Sequence, residues 1–206
     1  MIYNILNKKR IDILPFLKAF KKDFYLAGGT GLALQLGHRD SVDFDFFSLK
    51  EIDTKKLFLR IKDIFKGHSI KKVQDLKNTL TIFIDEDIKL SFFTYDYQLI
   101  DKLIDEPYFK IASIKDIACM KLSAIVSRAS NKDYIDLYYI LQEISLKEIL
   151  KCLEKKMPEL EINLVLKSLI YFKDIEKEKI RFKNNRNIDF KQIKDFFQKL
   201  IKNFNY

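Results

Sequence analysis

Two aspartates lie one residue apart in the segment Val42-Asp43-Phe44-Asp45-Phe46, which alternates apolar and acidic residues. The alternation predicts a strand with both carboxylates on one face, because successive side chains of a strand point to opposite sides. Two like charges held side by side raise each other's pKa unless a cation lies between them. Mg²⁺ accepts a few carboxylates and completes its octahedron with water and phosphate oxygens. The pair therefore indicates a magnesium site, although a solvent-facing polar strand would produce the same pattern.

A glycine turn precedes the acidic pair. Gly28-Gly29-Thr30 separates a β-type run at 24–27 from a run with helical apolar spacing at 30–36. Glycine lets the backbone approach a ligand, a helix N-terminus offers unpaired N–H groups, and a threonine hydroxyl can cap the helix or reach a phosphate. Alone, the turn is better explained as a tight turn with Thr30 as an ordinary N-cap. Together with Asp43 and Asp45, it predicts a nucleoside triphosphate site at the ends of adjacent strands.

The remaining patterns predict an α+β fold, in which a mixed β-sheet with flanking helices is followed by a C-terminal helical bundle. Three further β-type runs, at 69–76, 79–84 and 88–94, predict a meander. Helical spacing predicts helices at 53–65, 114–128, 131–144, 146–157, 159–178 and 189–204. The change of pattern around Asp105-Glu106-Pro107 predicts a boundary there, which gives domains at 1–106 and 107–206.

Composition limits the cellular setting and the partners. No apolar run approaches the length that spans a bilayer, and the first ten residues lack the apolar core of a signal peptide, so we expect a cytoplasmic protein without membrane contact. Cys119 and Cys152 lie in helical apolar patterns and are expected to be core residues. The net charge is +9, and the basic excess is concentrated between 147 and 206. Such a charge favours a polyanionic partner such as RNA, but it is also common on soluble surfaces.

Two long segments carry a resemblance to a known family. Residues 25–48, YLAGGTGLALQLGHRDSVDFDFFS, closely resemble the nucleotidyltransferase toxins of bacterial abortive-infection systems, the AbiEii/AbiGii type. The resemblance continues at residues 111–141, IASIKDIACMKLSAIVSRASNKDYIDLYYIL. It implies a DNA-polymerase-β-like nucleotidyltransferase domain at 1–106 that binds NTP and Mg²⁺. The positions it assigns to this binding are Gly28, Gly29, Thr30, Ser41, Asp43 and Asp45.

The resemblance also implies partners and later functional positions. Asp43 and Asp45 would be the metal ligands, while Lys121 and Asp133 match positions that function in the family. Family members act as toxins beside a cognate antitoxin, and some add nucleotides to the ends of transfer RNA. The implied function is therefore Mg²⁺-dependent transfer of NMP from NTP to an RNA acceptor.

Lys121 is also singled out by the residues alone, because it falls inside the apolar stripe of its predicted helix. A lysine there requires an anion, either triphosphate oxygens or an internal carboxylate. Asp133 and Asp136 lie in the first turns of the next helix, where carboxylates are favoured without any catalytic role. In the loop before the acidic strand, Arg39 is a better candidate for ligand contact than His38, which more often packs locally. The stripe consists of Ile114, Ile117, Ala118, Leu122 and Ile125.

One expected acid is missing. Nucleotidyltransferases of this fold usually carry a third carboxylate on a later strand, and the run 88–94 has Ser91 where that acid would align. Asp85, Asp87 and Asp96 are the nearest substitutes. Three functions therefore stay open: an active nucleotidyltransferase, a nucleotide- or partner-binding module with weak or no transfer, and an enzyme that nucleotidylates a small molecule. The basic C-terminal part argues against the third.

Overall fold

A computed structural model describes residues 1–204, so the last two residues of the predicted C-terminal domain lie outside the described residues. A mixed seven-stranded sheet forms its centre, with strand order β3-β4-β5-β2-β1-β7-β6. The strands are β1 (Tyr25–Leu26), β2 (Phe44–Ser48), β3 (Ile70–Leu76), β4 (Thr79–Ile84), β5 (Ile88–Thr94), β6 (Ile104–Asp105) and β7 (Lys110–Ile111).

The strand that follows Asp43 lies in the middle of the sheet. β2 pairs antiparallel with β1 and parallel with β5, in a register that places Asp45 beside Ser91. The predicted alternation is present from Phe44 onward, because Phe44 and Phe46 are buried whereas Asp45 and Phe47 are partly exposed. It is wrong at Val42, which precedes β2 and is 50% exposed. β3, β4 and β5 form the predicted antiparallel meander. β7 runs parallel to β1, so the sheet is mixed, as predicted for the α+β class.

Helices flank the sheet and continue as a bundle after β7. Several begin at the caps that their sequences predict: the Asp53 side chain accepts a hydrogen bond from the Lys56 amide, and Ser113 accepts one from the Asp116 amide. The helices are α1 (Lys8–Leu17), α2 (Gly28–Leu36), α3 (Thr54–Ile64), α4 (Ile114–Ser127), α5 (Asn131–Ile140), α6 (Leu146–Lys156), α7 (Ile162–Leu169) and α8 (Phe190–Lys202).

The predicted helix at 159–178 is wrong over its second half. α7 ends at Leu169, and the chain after it is irregular until α8. The hydroxyl of buried Tyr134 donates to the carbonyls of Ser168 and Tyr171, which fixes the end of the helix. Further on, Glu176 forms a β-bridge with Ser130. Contacts with α5 therefore override the local helical propensity of this lysine- and glutamate-rich segment.

Two hydrophobic clusters hold the fold. One packs aromatic side chains of the sheet, including Phe46 stacked on Phe92, against α1 and α3. The other fills the helical part around Tyr134, whose ring contacts Phe190 and Phe197. Of the helices in residues 1–204, none combines the length and apolar character that crossing a membrane requires.

Candidate active site

The glycine turn packs directly on the acidic pair. β1 ends at Leu26 and α2 begins at Gly28, which has a φ of +62°. A Cβ atom at Gly28 would lie 3.2 Å from the Asp45 Oδ2 atom, and one at Gly29 would lie 2.5 Å from Arg39 Nη2. No side chain fits at either position without displacing a charged group. The backbone at the start of α2 is thus brought against Asp45 and Arg39, as the sequence predicts for a phosphate-binding turn.

Thr30 and Ser41 hold this turn against the loop that precedes β2. The Thr30 hydroxyl donates to the Asp43 carbonyl and lies 2.7 Å from the Ser41 hydroxyl oxygen. Both side chains are buried. These contacts hold Asp43 beside the start of α2. Thr30 and Ser41 therefore position Asp43, whether or not they also contact a ligand.

The two carboxylates of the acidic pair share one cleft but have unequal surroundings. Burial, followed by the charge of Asp43, raises the pKa of Asp45, while Lys89 and a hydrogen bond from Ser91 oppose the rise. Lys89 Nζ lies 3.5 Å from the Asp43 Oδ2 atom, so one lysine is shared by two acids. Burial and the neighbouring charge of Asp43 together outweigh the positive charge near Asp45. Two such carboxylates fit one Mg²⁺ ion whose other positions are filled by water and phosphate.

Among residues 1–204, no third acid joins Asp43 and Asp45 in a metal-binding group. Ser91 lies beside Asp45 on β5, at the position where the sequence comparison expects a carboxylate. Asp85 is bonded to His68 and Ser69, and Asp87 is paired with lysine and arginine side chains of α1. Within residues 1–204, no three carboxylate, histidine or cysteine side chains are grouped to hold a metal.

Lys121 lies in a buried network on the helical wall of the cleft. Its Nζ atom is 2.7 Å from Asp133 Oδ1 and 2.6 Å from Asp136 Oδ2. Arg39 donates to both Asp136 oxygens, at 2.6 and 2.7 Å, and His38 Nε2 donates to Asp136 Oδ1 at 2.7 Å. The anion that Lys121 requires is therefore internal, and Arg39 and His38 belong to the same network.

The charges of this network determine its protonation states. Burial alone would raise the pKa of Asp136, but Arg39 and Lys121 outweigh it and hold that pKa well below its usual range. Burial lowers the pKa of His38 despite its hydrogen bond to Asp136, so the imidazole is neutral. Asp136 is an anion surrounded by donors. The Oδ2 atom of Asp133 is different, because within the described residues it is buried and has no hydrogen-bond partner.

A cleft of about 900 Å³ lies between the sheet and the helices. The predicted site residues that line it together are Gly28, Gly29, Arg39, Ser41, Asp43, Asp45, Lys121 and Asp133, whereas Thr30 is buried beneath the turn. Residues 178–181, which follow α7 and were not predicted as part of the site, form a further part of the wall. A smaller cavity of about 460 Å³ lies at the other end of β1 and β2, but it contains neither acid of the pair.

Comparisons with known proteins agree with this geometry. The family model "Nucleotidyl transferase AbiEii toxin, Type IV TA system" matches residues 16–203. An uncharacterized protein of Aquifex aeolicus is 38% identical over 189 residues, which cover 88% of each chain.

Two solved structures share the fold at low identity. One is a Helicobacter pylori protein described as a nucleotidyltransferase, with a TM-score of 0.57 and 19% identity, covering 95% of this chain and 91% of that one. The other is the nucleotidyltransferase toxin MenT4 of Mycobacterium tuberculosis, with a TM-score of 0.61 and 14% identity, covering 96% of this chain and 83% of that one.

Proposed function

Because the chain belongs to the AbiEii family of nucleotidyltransferase toxins, we propose that it transfers NMP from NTP to an RNA acceptor with the help of Mg²⁺. Transfer RNA is the acceptor that we favour, and the cytoplasm is the setting. A hydroxyl oxygen of the acceptor forms a bond to the α-phosphorus while the bond to the β-phosphate oxygen breaks, so that pyrophosphate leaves. The family also implies an antitoxin partner.

The observation that supports this proposal most directly is the contact between the glycine turn and the acidic pair. Backbone amides at the start of α2 are placed to hold phosphate oxygens, and the partial positive charge of the helix N-terminus favours them. Asp43 and Asp45 would hold the metal on the same side. When bound, Mg²⁺ supplies positive charge that offsets the negative charge developing on the phosphates.

The helical wall supplies the remaining groups. Lys121 lines the cleft as a fixed positive charge whose pKa is raised, since Asp136 and Asp133 outweigh the effect of burial. Asp133 contacts Lys121 through one oxygen, while its other oxygen is buried without a hydrogen-bond partner in residues 1–204, and we assign to it the task of holding Lys121 at the cleft. We assign to Arg39 the task of holding Asp136 and the glycine turn in place, because its hydrogen bonds to Asp136 and to the Asp40 carbonyl are internal and its Nη2 atom lies against Gly29.

Labelling tests the proposal. The protein, Mg²⁺ and α-labelled NTPs incubated with total RNA should label RNA, and Asp43→Asn should lower the rate by at least about 1,000-fold, because an effect of several kcal/mol from the metal is lost. Asp12→Asn, which changes an exposed carboxylate on α1, is the matched control and should leave the rate unchanged. Labelling that survives in Asp43→Asn would exclude the proposed metal site.

The same experiment separates the alternatives. Label on a small molecule or on protein, with none on RNA, would change the acceptor class. Mg²⁺-dependent NTP binding without transfer to any acceptor would instead favour a nucleotide-binding module, in which the serine at position 91 has replaced an essential acid.

A further inference from the structure

The segment at residues 176–183, here called the strap, crosses the mouth of the cleft and is fastened at both ends. At one end, the Glu176 amide donates to the Ala129 carbonyl and the Glu176 carbonyl accepts from the Asn131 amide. At the other end, the Arg181 carbonyl accepts from the Asp40 amide and the Lys183 amide donates to the His38 carbonyl. The strap thus joins the start of α5 to the loop before β2, and it walls one side of the cleft.

The side chains of the strap alternate in direction. Glu178 bonds Ser130 and Lys132, and Ile180 and Phe182 pack on the helical cluster. The residues between them are basic and exposed: Lys177, Lys179 and Arg181. Side chains two residues apart on an extended segment lie on one side, roughly 6.6 Å from each other.

These cations are available to a partner. Within residues 1–204, Lys177, Lys179 and Arg181 form no ion pair, in contrast to Lys183, which lies 3.2 Å from Asp40. Arg128, on the same rim of the cleft, is also exposed and lacks an ion pair among the described residues. Binding a polyanion here breaks no internal contact and releases counterions, which favours association.

The row extends beyond the cleft. Lys179 and Arg181 line it, whereas Lys177 lies outside. A triphosphate seated at the glycine turn lies inside the cleft and leaves Lys177 without a phosphate, whereas a chain of phosphates that enters the cleft can contact all three cations. We therefore propose that the strap binds the sugar-phosphate backbone of a single-stranded RNA segment and leads its terminal hydroxyl toward Asp43 and Asp45. This inference rests on the proposed function, since it names how that acceptor is held.

Salt-dependent RNA binding tests the strap. The variant Lys177→Gln/Lys179→Gln/Arg181→Gln removes three charges and leaves the backbone hydrogen bonds intact. Its affinity for a labelled single-stranded RNA oligonucleotide, measured by fluorescence anisotropy without NTP, should fall. The slope of log affinity against log salt should decrease in magnitude by about 2, since each contact with a single strand contributes roughly 0.7.

A matched control removes the same charge elsewhere. Lys191→Gln/Lys199→Gln/Lys202→Gln changes exposed lysines of α8, which line no part of the cleft. This control should keep the wild-type slope, and both variants should keep the wild-type Tm and Mg²⁺-dependent NTP affinity. Equal loss in the two triple variants would overturn the proposal by showing a general charge effect. Loss of NTP affinity instead would assign the strap to the triphosphate.

These experiments distinguish an error in the RNA-binding role of the strap from an error in the proposed function. Binding is measured without transfer, so an inactive wild-type protein that still shows the strap-dependent slope would retain an RNA site and lose only the proposed chemistry. A wild-type protein that labels RNA, with no slope change in the strap variant, would keep the chemistry and place the acceptor on another surface.

Discussion

Two pairs of aspartates, one on the cleft and one in the helical wall behind it, have opposite electrostatic arrangements. Asp133 and Asp136 are countered by Lys121 and Arg39, and the pKa of Asp136 lies well below its usual range. Lys89 lies 3.5 Å from Asp43 and also lowers the pKa of Asp45, but burial and the charge of Asp43 keep that pKa raised. The helical pair is neutralised by the protein itself and stabilises the fold. The strand pair leaves negative charge for a ligand to neutralise, which is how a metal site differs from an ion-pair network.

The largest change in unfolding free energy is expected on substitution of Asp136. Asp136→Asn leaves the charges of Arg39 and Lys121 buried with less compensation, so unfolding free energy should fall by about 3–5 kcal/mol, as when one member of a buried ion pair is removed. Urea denaturation at pH 7 measures it. Because its folded pKa is lowered, Asp136 contributes stability above its unfolded value of 3.8, and this is lost as the pH falls through the folded pKa.

Asp133→Asn provides the comparison within the helical pair. It should cost less than Asp136→Asn, because Lys121 keeps Asp136 as a partner and one oxygen of Asp133 has none within the described residues. If both variants cost less than 1 kcal/mol, the helical pair would not differ from an exposed salt bridge.

Substitution of Asp45 is expected to change the unfolding free energy in the opposite direction. Asp45→Asn removes repulsion within the strand pair, so without Mg²⁺ the unfolding free energy at pH 7 should rise by about 0.5–2 kcal/mol while nucleotide transfer is lost. The folded pKa of Asp45 is raised, so its stabilising protonated form is lost as the pH rises. The gain should therefore shrink toward acidic pH. Thermal unfolding across pH checks this, and a destabilised variant at pH 7 would contradict it.

Metal affinity should depend on pH for the same reason. A proton on Asp45 competes with Mg²⁺, so the affinity should fall by up to about tenfold for each unit that the pH drops below the raised pKa of Asp45. Calorimetric titration with Mg²⁺ at several pH values measures this dependence. Glu178→Gln, which leaves the strand pair intact, should show the same pH dependence as the wild type.

The smallest effect is expected at the exposed end of the cleft. Lys132 Nζ lies 2.7 Å from Glu178, and both side chains are partly exposed. A double-mutant cycle with Lys132→Gln and Glu178→Gln should give a coupling of about 0.2–1 kcal/mol. A coupling energy above about 2 kcal/mol would contradict this expectation, because it would make the pair as strong as the buried contacts of Asp133 and Asp136.

Much of the site could be predicted because its signals are local. The alternation at 42–46 gave the shared face of Asp43 and Asp45, and the glycine turn followed from residue type. The position of Lys121 in an apolar stripe correctly indicated that it needs an anion. The packing of α5 beside α4 makes Asp133 and Asp136 the anions that pair with Lys121. The spacing of residues in the sequence does not contain that information.

Long-range contacts account for the parts that were missed. The short strands β6 and β7 were not predicted, since two-residue strands exist only through their partners in the sheet. The helix α1 was not predicted either. The first three residues of the strap, 176–178, were predicted as the end of a helix because the lysines and glutamates there favour one, and residues 179–183 were assigned to no element. The strap's alternation of basic residues with Ile180 and Phe182 is a strand-like pattern that was present in the sequence.

The position of the strap along the chain affects how the protein is made. During synthesis, Asp43 and Asp45 leave the ribosome about 130 residues before the strap does. The sheet and the carboxylates that we assign to the metal can be in place while one wall of the cleft is still absent. A nascent chain therefore holds its acidic residues without the surface that we assign to RNA, so the toxin would gain access to its acceptor only late in translation.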